Sequence, residues 1–203
     1  MQANNITIPG AIGNIEARWR LASDNKGALI CHPHPFYKGN MDIKVVTSCV
    51  NACESVNLSS LCFNYRGVGA SEGDYSDLNG AYLDAKAAYN WFRCKNIEPS
   101  WIIGFSFGSY IALRLASEFS KQVILLAPPV ERMPFTVEKN IKSITIIQGD
   151  IDKIAKAKAS QDWANKNDLK CVVMQDTGHF FHGKLLDLMK HISQVIVGAE
   201  ACS

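Results

Sequence analysis

Several absences narrow this chain before any motif is read. No apolar run approaches the roughly 20 residues that a membrane-spanning helix requires; residues 123–129 are among the longest. Neither sign of charge dominates. The 21 basic and 19 acidic residues are interspersed and leave a net charge of +2, so neither a nucleic-acid-binding block nor an acidic tail is expected. Residues 1–10 are largely polar and lack a charged start followed by an apolar stretch, which argues against a signal peptide. There is no internal repeat, low-complexity tract or linker. Histidine is scarce, at 5 residues, and none belongs to the helical HExxH pattern of a metalloprotease.

Cysteine is present, but not as a framework. The 7 cysteines are an odd number scattered through apolar segments, the pattern of reduced thiols in a cytoplasmic, reducing setting. Cys49 and Cys53 stand four apart on an expected helix face. No second thiol pair follows at zinc-site spacing, so they read as buried free thiols.

The composition is that of an ordinary globular chain, 47% hydrophobic and 20% charged. A length of 203 residues suits one well-buried core, and a single domain over residues 1–203 is expected. Short runs rich in Val and Ile occur at 28–31, 61–64, 102–104, 123–127, 144–147 and 171–174. They lack polar alternation, as strands covered on both faces do. Between them, 42–56, 80–92, 109–119, 156–167 and 184–197 carry apolar residues at helical spacing. Such alternation predicts right-handed crossovers and a mostly parallel α/β sheet. Residues 6–8 and 14–21 add an antiparallel hairpin at one edge, for about eight strands in all. In such sheets ligands bind beyond the carboxyl ends of the strands.

The most informative stretch is Gly104-Phe105-Ser106-Phe107-Gly108, a G-x-S-x-G between an expected strand and an expected helix. The turn is sharp enough to strain the serine and crowd it with backbone, which explains glycine on both sides. A serine hydroxyl needs a base, commonly a histidine oriented by a carboxylate. His179, just after the last strand, is preferred to His182; His191 falls inside the final helix. Asp152, three residues past Gly149, is preferred to Asp150, which can instead cap the turn; Asp176 shares the histidine's own loop. The order Ser106, Asp152, His179 is that of α/β-hydrolases.

Here the chain resembles the small cap-less α/β-hydrolases, near the dienelactone-hydrolase-like and serine esterase branch. The likeness rests on His32-Pro33-His34-Pro35-Phe36-Tyr37-Lys38-Gly39-Asn40-Met41-Asp42-Ile43-Lys44-Val45-Val46 and Phe63-Asn64-Tyr65-Arg66-Gly67-Val68-Gly69-Ala70-Ser71-Glu72-Gly73. The segments 104–108, 149–152 and 178–183 follow in turn. The resemblance implies a serine-type carboxylic ester hydrolase without a cofactor, acting on a small acyl substrate through Ser106, Asp152 and His179. It also implies that the loop after the third strand supplies a second oxyanion donor. Neither Pro33 nor Pro35 has an N–H; the remaining backbone donors are His34, Phe36 and Tyr37, of which His34 is the choice, beside the N–H of Phe107.

Other readings of the same residues are thioester, amide or peptide cleavage, and a non-catalytic binding protein that keeps the fold. A homo-oligomer is compatible with the sequence. His32 and His34, with His179, His182 and an aspartate, also suggest metal ligands, which would leave the serine elbow without a task. Arg66 is expected to fix its loop by bonding backbone carbonyls. Asp84 is expected to be structural, and Trp91 and Phe92 to be core. Residues 130–143 are too few for a helical cap, so an open pocket walled by Phe36, Tyr37, Phe105, Phe107, Met133, Phe180 and Phe181 is expected.

Overall fold

The structure, a computed structural model, describes residues 3–200; Met1, Gln2 and Cys202, on which two of the expectations above partly fall, lie outside them. Strands β1 (Ala3–Pro9) and β2 (Asn14–Arg20) form the antiparallel edge hairpin. Six more follow: β3 (Lys26–Cys31), β4 (Ser59–Phe63), β5 (Glu98–Phe105), β6 (Gln122–Leu126), β7 (Ser143–Gly149) and β8 (Lys170–Met174). They make one 8-stranded sheet in the order β1-β2-β4-β3-β5-β6-β7-β8, parallel from β4 to β8. The helices are α1 (Lys44–Ser55), α2 (Leu78–Cys94), α3 (Phe107–Phe119), α4 (Ala157–Lys166) and α5 (Leu185–Glu200). This is the architecture that the α/β-hydrolase resemblance implies.

Helices cover both faces, and the period-2 geometry of the strands distributes the core between them. Along β5, Trp101, Ile103 and Phe105 pack toward α1 and α5, against Val46, Cys49 and Leu188. Ile102 points the other way, toward α2 and α3, among Phe92, Ile111 and Leu115. Phe92 is fully buried, and Trp91 lies against the same core with its ring edge-on to Trp19 at 5.0 Å.

Strand ends depart from the apolar runs where polar residues extend the pairing. Glu98 and Pro99 belong to β5 and pair with Lys26 and Gly27, beside a register shift at Gly27/Ala28. A proline is tolerated at such an irregularity because the ladder is already interrupted. Ser59 and Ser60 open β4 and are buried, the Ser59 hydroxyl accepting the Ala22 N–H at 2.9 Å.

Between β6 and β7 the chain runs through residues 127–142 without a helix or strand, so this connection forms no helical cap over the carboxyl edge of the sheet. Among the described residues, no helix is long and apolar enough to cross a membrane. Four of the described cysteines, Cys31, Cys49, Cys53 and Cys62, are buried and free; Cys171 is half-buried and Cys94 exposed. Burial pushes the Cys31 and Cys53 thiols up to about 12 and Cys62 up to about 11, which keeps them protonated and unreactive.

Candidate active site

Strand β5 ends in the G-x-S-x-G turn, and Ser106 takes φ 53° and ψ −118° there. A non-glycine residue in this region is strained by roughly 1–3 kcal/mol and persists only where its surroundings fix it. Several contacts do so. Ser106 donates its N–H to the Leu126 carbonyl at 2.8 Å, and its own carbonyl accepts the Ser109 N–H at 2.9 Å. The buried Ser109 hydroxyl reaches the Gly104 and Leu126 carbonyls at 2.8 and 3.1 Å. A Cβ on Gly104 would meet the Gly108 carbonyl oxygen at 2.2 Å, and one on Gly108 would meet that of Cys31 at 2.3 Å. Only glycine lets strand, helix and neighbouring loop approach this closely.

His179 comes from the loop after β8, and its Nε2 lies 3.0 Å from Ser106 Oγ. Its Nδ1 lies 2.7 Å from Asp152 Oδ2, beyond the end of β7. Asp152 is satisfied on both oxygens. Oδ1 accepts the N–H groups of Ile154 and Ala155 at 2.7 and 2.9 Å, and Oδ2 also accepts the Gln148 amide at 3.1 Å. Burial pushes the Asp152 carboxyl up, but the His179 bond and charge and the two backbone donors outweigh it, holding the group below its ordinary value. An ionised carboxylate there accepts from Nδ1–H, so Nε2 is bare and aimed at the serine hydroxyl. Phe105, tilted against the imidazole at 5.1 Å between centroids, supports the ring from below.

The other candidates separate clearly. Asp150 Oδ1 accepts the Thr177 N–H at 2.9 Å, which ties the acid loop to the histidine loop. Asp176 and His182 are exposed, and His191 is half-buried within α5. Gln148 and Ser109 were not singled out from the sequence; both are buried polar residues that hold a candidate side chain or its turn.

The loop after β3 is pinned by His32. Its Nδ1 bonds the Pro33 carbonyl at 2.7 Å and its Nε2 accepts the Tyr65 N–H at 3.1 Å, so both nitrogens are used. Burial lowers its pKa from the usual 6.5 to about 3. An unfolded chain protonates this histidine below about pH 6.5, whereas the folded chain refuses the proton until about pH 3; stability is therefore lost as pH falls through that window. Between pH 7 and pH 5 this one group should cost about 2 kcal/mol. Denaturant titrations of native protein and His32→Gln at the two pH values check this, with the extra acid sensitivity absent from the variant. Equal pH dependence in both proteins would refute the assignment.

His34 begins a short 3-10 turn, and its Nδ1 accepts the Phe36 N–H at 3.2 Å. Its ring meets that of Phe107 edge-on at 4.7 Å, which sets the two candidate oxyanion residues side by side. As the first residue of α3, Phe107 has an N–H without an intrahelical acceptor. Among the described residues, no group of three or more His, Cys, Asp or Glu side chains is arranged to hold a metal.

Two expectations need correction. Arg66 fixes its loop through the Asp84 carboxylate and not through backbone carbonyls. Its Nε and Nη2 reach Asp84 at 3.0 and 2.7 Å, and its N–H bonds the same carboxylate at 2.9 Å. A fork-on-carboxylate pair satisfies a buried guanidinium better than scattered carbonyls do. Phe105 and Phe181 do not wall a pocket; strand alternation and the turn after His179 bury both in the core facing α1 and α5. Phe107 and Met133 do line a cavity, of about 670 Å³; Phe36, Tyr37 and Phe180 are exposed, Phe36 lining a second cavity and Phe180 packing beside His179.

No family model matches the chain. A solved structure from Xanthomonas campestris, XC6422, described as an α/β serine hydrolase without a lid, is 32% identical, with TM-score 0.89 over 96% of this chain and 93% of that one. The chain belongs to the lid-less α/β serine hydrolases. It is also similar to an α/β serine hydrolase homologue from Coxiella burnetii, at 31% identity and TM-score 0.87 over 96% and 97% of the two chains. The uncharacterized protein RP471 of Rickettsia prowazekii is 32% identical over 219 residues, covering 97% of this chain and 90% of its own. As a lid-less α/β serine hydrolase the chain is a hydrolase.

Proposed function

We propose that this hydrolase cleaves carboxylic esters of small acyl groups by two-step acyl transfer, with Ser106, His179 and Asp152 as its triad. The observation that carries this reading is the unbroken hydrogen-bond chain from Asp152 Oδ2 through His179 to Ser106 Oγ, at 2.7 and 3.0 Å, ending at the N-terminus of α3. Ser106 Oγ attacks the ester carbonyl as His179 Nε2 takes its proton, and Asp152 stabilises the imidazolium. The N–H groups of Phe107 and His34 bond the oxyanion, each contributing about 3–4 kcal/mol. Collapse breaks the C–O bond, and His179 returns the proton to the leaving alcohol. Water, deprotonated by His179, then attacks the acyl-Ser106 carbonyl and frees the acid.

The motifs at 32–46 and 63–73 favour the dienelactone-hydrolase-like branch, and the free buried thiols favour a cytoplasmic setting for this single-domain enzyme. A fluorophosphonate probe tests the reading directly. Mass spectrometry should locate one adduct, on the peptide carrying Ser106, and a chelator should leave ester turnover unchanged. Folded protein that takes no label at Ser106 would defeat the proposal; loss of turnover with chelator would redirect it toward metal chemistry.

A further inference from the structure

Tyr75, on the loop between β4 and α2, is half-buried and belongs to the walls of two cavities. One, of about 670 Å³, is bounded by His34, Leu78, Phe107 and Met133; the other, of about 740 Å³, is lined by Phe36, Asn64 and Val68. The Tyr75 ring packs edge-on against His34 at 5.1 Å and Phe36 at 5.0 Å, so its position is fixed.

The hydrogen bonds around it have a direction. His34 Nδ1 accepts the Phe36 N–H, so the neutral imidazole carries its proton on Nε2. That Nε2 faces the Tyr75 hydroxyl at 3.4 Å, a long contact in which nitrogen donates and the phenol oxygen accepts. The phenol's own proton is then left to point elsewhere. Burial and the nearby Asp77 raise the Tyr75 pKa, which keeps that proton in place at neutral pH.

The hydrolase reading puts the acyl side of the substrate in the first cavity, beside His34 and Phe107. A leaving alcohol must take its proton from His179, which reaches Ser106 from the β7 and β8 side of β5. His34 lies on the opposite, β3 side, so the part of the ester that stays on Ser106 occupies the space beside His34 and Phe107. Resting on the hydrolase reading above, we infer that Tyr75 is a specificity-determining residue: its hydroxyl donates to an oxygen of the acyl group, so the site selects acyl chains that carry an acceptor oxygen over hydrocarbon chains of the same shape.

Matched esters test this. p-Nitrophenyl methoxyacetate and butyrate differ by one O-for-CH2 exchange, as do the 3-methoxypropionate and valerate one carbon further out. The measurement is kcat/KM for each pair with native protein and with Tyr75→Phe, which keeps the ring contacts. Intrinsic reactivity differences cancel between the two proteins. In at least one pair, Tyr75→Phe should lower the ether-to-hydrocarbon preference roughly tenfold, the worth of a neutral hydrogen bond. A variant that leaves both preferences unchanged, or slows all four esters equally, overturns the inference while leaving the hydrolase intact. Native protein that turns over none of them overturns the hydrolase reading, and this one with it.

Discussion

Replacing Ser106 with alanine should lower kcat for a small ester on the order of a millionfold, and His179→Ala should do about the same. The double variant should be no slower than either single one. The nucleophile and base act as a unit: without the base the hydroxyl is not deprotonated as it attacks, and without the hydroxyl the base has nothing to activate. A millionfold loss corresponds to about 8 kcal/mol of barrier, far more than the 3.0 Å hydrogen bond between them contributes to folding. Thermal midpoints should therefore move little while activity collapses to the residue left by the oxyanion donors. His182→Ala is the control; its exposed ring makes no hydrogen bond to Ser106 or Asp152, and its activity should stay near native. Losses that multiply in the double variant would mean that the two residues serve different steps, and would remove the proposed mechanism.

Much of this geometry was legible because it lies on the backbone plan. Ser106, Asp152 and His179 each follow a parallel strand, and β5, β7 and β8 deliver their loops to the same edge of the sheet. Order and strand ends were enough to bring these three side chains to one place, whatever their task. The supporting residues had no such signature. Gln148 is one glutamine inside a strand, and only the packed structure shows its amide shared between Asp152 and the Ala155 carbonyl. Asp84 meets Arg66 from a helix 18 residues away in sequence, a separation that carries no pattern. Tyr75 sits in a loop where neither helix nor strand period applies. Phe105 differs: it shares a strand face with Trp101 and Ile103, and the period of two alone would have placed it in the core and not at the pocket.

Asp152→Asn should reduce kcat/KM by about 10⁴-fold while leaving the fold intact. The reason lies in which atom of the new amide faces the histidine. The N–H groups of Ile154 and Ala155 both donate to Oδ1, so the asparagine must keep its oxygen there. Its NH2 then takes the place of Oδ2, where it confronts His179 Nδ1 and the Gln148 amide. Facing a donor, Nδ1 must become the acceptor, and the ring proton moves to Nε2. That nitrogen can no longer take the Ser106 proton, so the loss is one of tautomer and not of position. Asp150→Asn, by contrast, alters an acceptor of backbone N–H groups, that of Thr177 first among them, touches neither His179 nor Ser106, and should keep turnover within about tenfold. Stability supplies a second readout with a defined sign. The native carboxyl titrates below its ordinary value, so it favours the folded state above about pH 4, and that advantage fades as the pH falls through the depressed value. Denaturant curves should therefore show native protein and Asp152→Asn furthest apart near neutral pH and converging in acid. Equal turnover by Asp152→Asn and native protein, with Asp150→Asn the slower of the three, would instead assign the acid to Asp150.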